Sequence, residues 1–313
     1  MPLKKNKHAA RKQSHSLRTY SFITTFAIIV IIVGASYYSS LPKVEHIPDK
    51  FQFQLAPWMT FVPQTAEYVA YVDYQQAYSA SGNSSIFGTL PIFQFYQLQL
   101  EIPPQSILYD LDVQLPQPSS NSVVTVSVLK VRNDTMRILL NATAKANLSK
   151  LEYDGYPVYT ILMISQQKLI NAYMALAENV LILSIDPNLG RAGVETMLDQ
   201  ATTRAPSLFD NYDVRRGIYA SGATDKPYIG LFVGTFSSQF NNTRMIIKSV
   251  IAEGNGIGVT RSVLFPTSDF AMSEFDHAHN VYRDADNYRI LDQWLVISYN
   301  YGYDKLRGEL TGI

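Results

Sequence analysis

From Thr19 to Pro42 the chain carries no charged residue, and six positive residues precede that gap: Lys4, Lys5, Lys7, Arg11, Lys12 and Arg18. The middle of the gap, residues 22–35, is dominated by Ile, Val, Phe and Ala. A membrane-spanning helix needs about 20 mostly apolar residues, and residues 19–41 supply that length. A segment apolar on all sides does not suit the surface of a globular domain. Behind it stand only Lys43 and Lys50, offset by Glu45 and Asp49. Positive flanks stay in the cytoplasm, so residues 1–18 read as a basic cytoplasmic tail and residues 19–41 as an uncleaved transmembrane signal-anchor. Tyr20, Tyr37 and Tyr38 fall at headgroup depth, where aromatic rings favour the interface. A cleaved signal peptide is the alternative, because Gly34-Ala35-Ser36 offers small residues to a peptidase.

That topology places the rest of the chain outside the cell membrane. Net charge is zero over the whole chain, yet all 26 acidic residues follow the gap, together with 20 of the 26 basic ones. A net-acidic outer part is a poor partner for nucleic acid, which rewards clustered Lys and Arg. The bilayer itself is the expected partner of the basic tail. There is no cysteine among the 313 residues, which removes disulfides, thiolate metal sites and cysteine nucleophiles. Stability must come from the core. The 21 tyrosines against two tryptophans suit half-buried strand faces, with ring packed and hydroxyl wet. They also suit a surface that binds a glycan or a protein partner. Asn83, Asn133, Asn141, Asn147 and Asn241 each begin an Asn-x-Ser/Thr sequon, the acceptor pattern for glycosylation outside the membrane.

Pro42, Pro48, Pro57 and Pro63 break regular structure, so residues 42–64 read as a Pro-rich stalk. Beyond it the pattern is α+β, with antiparallel sheets and flanking helices. Strands are expected at residues 67–73, 123–129, 153–161, 228–233 and 294–301. A hairpin is expected from 169–176 and 180–185, and another from 245–253 and 257–265 across Gly254-Asn255-Gly256. Residues 106–111 read as a helical turn, 135–140 as a strand returning from Arg132-Asn133-Asp134, and 142–151 as a short helix. Asp186 followed by Pro187 signals a helix start over 187–201, and Ser268 caps a helix running to about residue 282. Residues 127–143 and 249–265 share an expected strand–turn–strand form. This suggests two related extracytoplasmic lobes, 65–205 and 206–313, although convergent hairpin chemistry explains the likeness as well.

The order Tyr153-Asp154-Gly155-Tyr156-Pro157-Val158-Tyr159, then residues 172–186 ending in Ser184-Ile185-Asp186, then Ser207-Leu208-Phe209-Asp210-Asn211 resembles a prokaryotic, archaeal-type family of membrane-anchored extracytoplasmic domains of unknown function. In that family a strand opening such as residues 62–68 commonly starts the fold. The resemblance brings no catalytic residues with it.

Catalytic chemistry is thinly supplied. Asp276-His277-Ala278-His279 is the one metal-like cluster. His at i and i+2 share a face on a strand, not on a helix, and the segment reads as helical, so His277, His279 and Asp276 are weak ligands for a metal. Ser127 to Lys130 and Ser165 to Lys168 match Ser-x-x-Lys, but Ser127 lies within a strand, whereas the chemistry needs the serine at a helix start. Asp110-Leu111-Asp112 and Asp284-Ala285-Asp286 match the Asp-x-Asp of metal-dependent glycosyltransferases without a nucleotide-binding start nearby. Neither a cofactor nor a catalytic residue is therefore expected. The leading expectation is a non-enzymatic binding, scaffolding or envelope-assembly role at the cell surface. A carrier or sensor of an apolar, lipid-like ligand is the second, favoured by an apolar cavity. An acid-residue hydrolase or glycosyltransferase is the third, favoured by carboxyl groups converging in one cleft.

Overall fold

The computed structural model describes residues 28–33, 42–82, 96–97, 100–117, 122–145, 148–165, 168–177, 179–203, 205–222, 224, 227–234 and 242–311. The chain divides into two compact units, Met1–Lys43 and Val44–Ile313. In the first, residues 28–33 are helical with exposed side chains. The remainder of the expected anchor, and the tail with its six positive residues, lie outside the described residues. Among the described residues no helix is long and apolar enough to cross a membrane.

The second unit is built on one sheet. Its strands are β1 (Val44–Glu45), β2 (Tyr68–Asp73), β3 (Ile107–Gln117), β4 (Ser122–Val131), β5 (Lys150–Tyr153), β6 (Tyr156–Ser165), β7 (Lys168–Ala177), β8 (Val180–Ser184), β9 (Tyr228–Gly234), β10 (Met245–Glu253), β11 (Gly256–Leu264), β12 (Asn287–Leu291) and β13 (Trp294–Gly302). They lie in the order β1-β12-β13-β11-β10-β9-β2-β3-β4-β8-β7-β6-β5. All pairings are antiparallel except that of β1 with β12. The helices are α1 (Tyr74–Ser81), α2 (Asn133–Lys145), α3 (Gly190–Thr203), α4 (Tyr212–Ala220), α5 (Ser268–Ser273), α6 (Phe275–Val281) and α7 (Leu306–Glu309).

Both faces of the sheet are covered. On the front face Val69, Leu111, Val126, Ile182, Leu231, Ile247 and Val296 pack with Val194 and Met197 of α3, Val214 and Ile218 of α4, and Trp58 and Phe209. On the back face Val72, Leu129, Leu183, Ile229, Val250, Val259 and Ile297 pack with Ala77 of α1, Met136 and Leu139 of α2, Ala271, Ala278 and Leu306. This explains why β8 and all but the end of β10 are buried without alternation, as strands covered on both sides are.

The strand order repeats outward from the central pair β2–β9. β2-β3-β4-β8-β7 runs one way and β9-β10-β11-β13-β12 the other. In each run a back-face helical segment follows the third strand: α2 after β4, and α5 with α6 after β11. The sheet is continuous across the expected lobe boundary near residue 205.

Several expectations are corrected. Residues 106–111 are not a helical turn: Pro104–Ser106 form one 3-10 turn and β3 begins at Ile107. Residues 135–140 belong to α2, because Thr135, Met136, Leu139 and Thr143 recur at helical spacing on its buried side and the Asp134 carboxylate accepts the Thr135 N–H. The helix capped near 268 is capped by Thr267 and divides at Glu274 into α5 and α6. The proline-rich segment is no free stalk beyond Lys43. β1 pairs with β12, and Pro57 opens a 3-10 turn (Pro57–Phe61) that buries Trp58 and Met59. The Trp58 ring stacks on Tyr71 at 3.9 Å, and Ser207 Oγ donates to the Met59 carbonyl.

The short α7 closes the back face over β10 and β11. Lys248, 1% exposed, holds Glu309 at 2.9 Å and lies over the Phe232 ring at 5.2 Å. Arg261 approaches the same carboxylate at 3.7 Å. Burial pulls the Lys248 ammonium below its ordinary range against the opposing pull of Glu309. Removing one partner of a buried pair leaves the other uncompensated, at about 3 kcal/mol or more. Glu309→Gln is therefore expected to lower the melting temperature by on the order of 10 °C; an unchanged melt would show that α7 does not neutralise Lys248.

Candidate functional site

β3 places Asp110 and Asp112 two residues apart, so both side chains leave the same, back face of the sheet. Their neighbours across the sheet follow from register. Asp112 lies between Ala70 on β2 and Ser127 on β4, and Ser127 lies opposite Leu183 on β8. Asp110 lies between Val72 and Leu129. α1 and the Tyr96 ring cover this face: Asp110 is internal, 5% exposed, beside Tyr96 at 1%, and Asp112 is half-buried.

Hydroxyls satisfy part of the pair. Tyr96 Oη donates to Asp110 Oδ2 at 3.1 Å, and Ser127 Oγ donates to Asp112 Oδ1 at 2.5 Å. Asp110 Oδ1 is buried without a hydrogen-bond partner among the described residues. Burial pushes both carboxyls above the ordinary aspartate range, Asp110 well above, with the Asp112 charge adding to the shift of Asp110. The surrounding phenols move the same way. Burial, then the Asp112 charge, pushes Tyr68 up to about 12. Burial, then Asp110 and Asp112, raises Tyr74 and Tyr96 well above the usual phenol range. The phenols therefore stay neutral donors around an acid pair that resists full ionisation.

A cavity of about 420 Å³ opens beside the pair, lined by Tyr96, Asp112, Val123, Thr125, Ser127, Leu183, Ile185 and Asp186. Val123 and Ile185 are 42% and 45% exposed at its walls. Asp186 at the wall is committed to the chain turn before α3, accepting the N–H groups of Asn188 and Leu189 at 2.8 Å each. The shape is that of a small-ligand site: apolar walls with a few convergent polar groups.

The other sequence candidates do not converge on it. His279 Nδ1 contacts the Phe275 carbonyl at 3.1 Å, and its ring stacks on Tyr288 at 3.8 Å. His277 and Asp276 share α6 with it, and no group of three or more His, Asp or Glu residues able to hold a metal occurs among the described residues. Asn133 and Asn141 are exposed on α2, with Thr135 and Thr143 of their sequons turned inward; Asn83, Asn147 and Asn241 lie outside the described residues. Tyr96 carried no signal of its own; Ser127 stood out only in a Ser-x-x-Lys match, not as a partner of Asp112. The signal for the acid pair, Asp-x-Asp, was legible only if residues 107–117 were read as a strand.

No protein-family model matches the chain, and no curated protein matches it. Solved structures do. TP0453 in crystal form III aligns with 82% of this chain and 98% of its own at 9% identity and a TM-score of 0.51. In crystal form I it aligns with 83% and 98% at 8% identity and a TM-score of 0.50. The chain shares the fold of TP0453. At that identity the likeness concerns architecture alone.

A carboxyl whose folded pKa is raised binds its proton more tightly in the folded state. Its stabilising contribution is whole below about pH 4 and is lost as pH rises through the folded value. Asp110→Asn/Asp112→Asn should therefore gain stability over wild type between about pH 5 and pH 8, by on the order of 5 °C in melting temperature. Parallel melting curves against pH would refute the buried acid pair.

Proposed function

We propose that this chain is a single-pass membrane protein with a non-catalytic binding domain on the outer side of the cell membrane. The lead observation is the apolar-walled cavity of about 420 Å³ with Asp112 in its lining and Asp110 buried beside it. The charge-free residues 19–41 and the basic residues 1–18 support an anchor with a cytoplasmic N-terminus. The resemblance to archaeal-type anchored domains fits the same reading, and so do the exposed Asn133 and Asn141 as glycan acceptors on the outer surface. The repeated strand order supports two related halves meeting at β2 and β9.

Binding is the first reading because the cavity has apolar walls with a few polar groups, as small-ligand sites do. The convergence of two carboxyls in one cleft nonetheless favours a second reading, an acid-residue hydrolase or glycosyltransferase. Cleavage of a nitrophenyl glycoside by wild type, lost in Asp112→Asn, would establish that reading over the first. The apolar walls belong equally to a carrier or sensor of an apolar ligand.

Thr125 is exposed on the cavity wall, so Thr125→Trp should fill the cavity without touching the core. Native mass spectrometry of the full chain from its own membranes should show a bound small molecule in wild type and none in this variant. An identical adduct in both would remove the cavity as the binding site. Protease treatment of whole cells should digest Val44–Ile313 and spare residues 1–18; the reverse pattern would overturn the topology.

A further inference from the structure

We propose that the cavity over β3, β4 and β8 takes an organic cation, an ammonium group carried on a short apolar body. This rests on the reading of the cavity as a ligand site and deepens it by naming the ligand class. Two observations carry it independently. One is the composition of the lining: Asp112 and Asp186 supply negative charge, Tyr96, Thr125 and Ser127 supply hydroxyls, Val123, Leu183 and Ile185 supply apolar wall, and no Lys or Arg lines it among the described residues. The other is a missing donor. Asp110, 5% exposed, has one oxygen bonded to Tyr96 and the other without a partner among the described residues. The acid pair thus has fewer donors than it can accept; of the two only Asp112 lines the cavity, so an ammonium there donates to Asp112, and its positive charge favours ionisation of the pair.

Among the described residues the groups facing the pair are Tyr68 from β2, Tyr74 from α1 with Tyr78 beside it, Tyr96, and Ser127 from β4; Asp186 stands at the cavity wall. None is cationic. An unoccupied pair avoids the cost of two buried charges by holding a proton. An ammonium offsets that cost directly and displaces the proton to solvent. Binding of the cation is then linked to proton release, and affinity rises with pH. A neutral hydroxyl compound of the same size gains the apolar contacts but neither the charge pairing nor the linkage. An anion is repelled by the Asp112 and Asp186 carboxylates.

The test uses the full chain in a non-ionic detergent and three small probes of matched size, butylammonium, 1-butanol and butyrate, followed by saturation-transfer NMR. Butylammonium should bind about ten-fold more tightly than 1-butanol, and butyrate should not bind. Its affinity should increase between about pH 5 and pH 8, and Asp112→Asn should bring it down to the level of 1-butanol. The amine-to-alcohol comparison and the pH series are made on wild type, so they stand even if the variant folds poorly. Equal binding of butylammonium and 1-butanol would overturn the cation while leaving a small-ligand site in place. Binding of none of the three would overturn both.

Discussion

A sheet covered on both faces has no wet side to which a charged strand residue can turn. Everything particular to this domain follows from that constraint. At its centre the front face obeys it with an apolar layer from Val69 to Val296 against α3, α4 and Trp58. The back face does not, because Asp110, Asp112, Lys248 and Arg261 all point into it. A buried charge must be neutralised, paired or hydrogen-bonded, and the back face contains each solution.

The two halves of the sheet solve the problem in opposite ways along a single row. Reading across the strands, that row runs Leu183, Ser127, Asp112, Ala70, Phe232, Lys248, Arg261, Ile297. Asp112 on β3 and Lys248 on β10 occupy matching places on either side of the central β2–β9 pair, three strand spacings or about 14 Å apart. Lys248 is neutralised by a carboxylate from the C-terminal α7 and by the Phe232 ring. Asp112 and Asp110 have hydroxyls and a cavity instead. The Lys248 side is closed; the Asp112 side opens on the cavity. That asymmetry within a repeated topology underlies the proposal that a ligand binds over β3 and β4.

Much of the domain was legible from local chemistry. β7 and β8, β10 and β11, and the start signal at Asp186 announce themselves through apolar and β-branched runs, turn residues and capping. The details depended on tertiary packing. The turn between β10 and β11 is made by Gly254-Asn255, one residue before the Asn-Gly pair, with Gly254 at φ +54. Gly256 is required for another reason: a Cβ there would lie 2.2 Å from the Tyr301 carbonyl. Residues 106–111 misled because Pro103 and Pro104 suggest a loop, whereas they end where β3 begins. Residues 135–140 misled because β-branched and apolar residues suit a strand equally well until α2's buried positions are known. Proline in residues 42–64 excludes regular structure but does not exclude burial, as Trp58 and Met59 show. The candidate site was half visible: the Asp-x-Asp spacing was present in the sequence, but its meaning depends on which face of which strand it occupies.

The most direct measurement is a carbon-13 NMR titration of the aspartate side-chain carboxyls in the full chain, with Asp110 and Asp112 assigned by single Asp→Asn substitution. Both resonances should titrate above the ordinary aspartate value near pH 4, Asp110 the higher, and each should shift when the other is removed. If both titrate at that ordinary value and independently of one another, the carboxyls are solvated and the account of the back face is wrong.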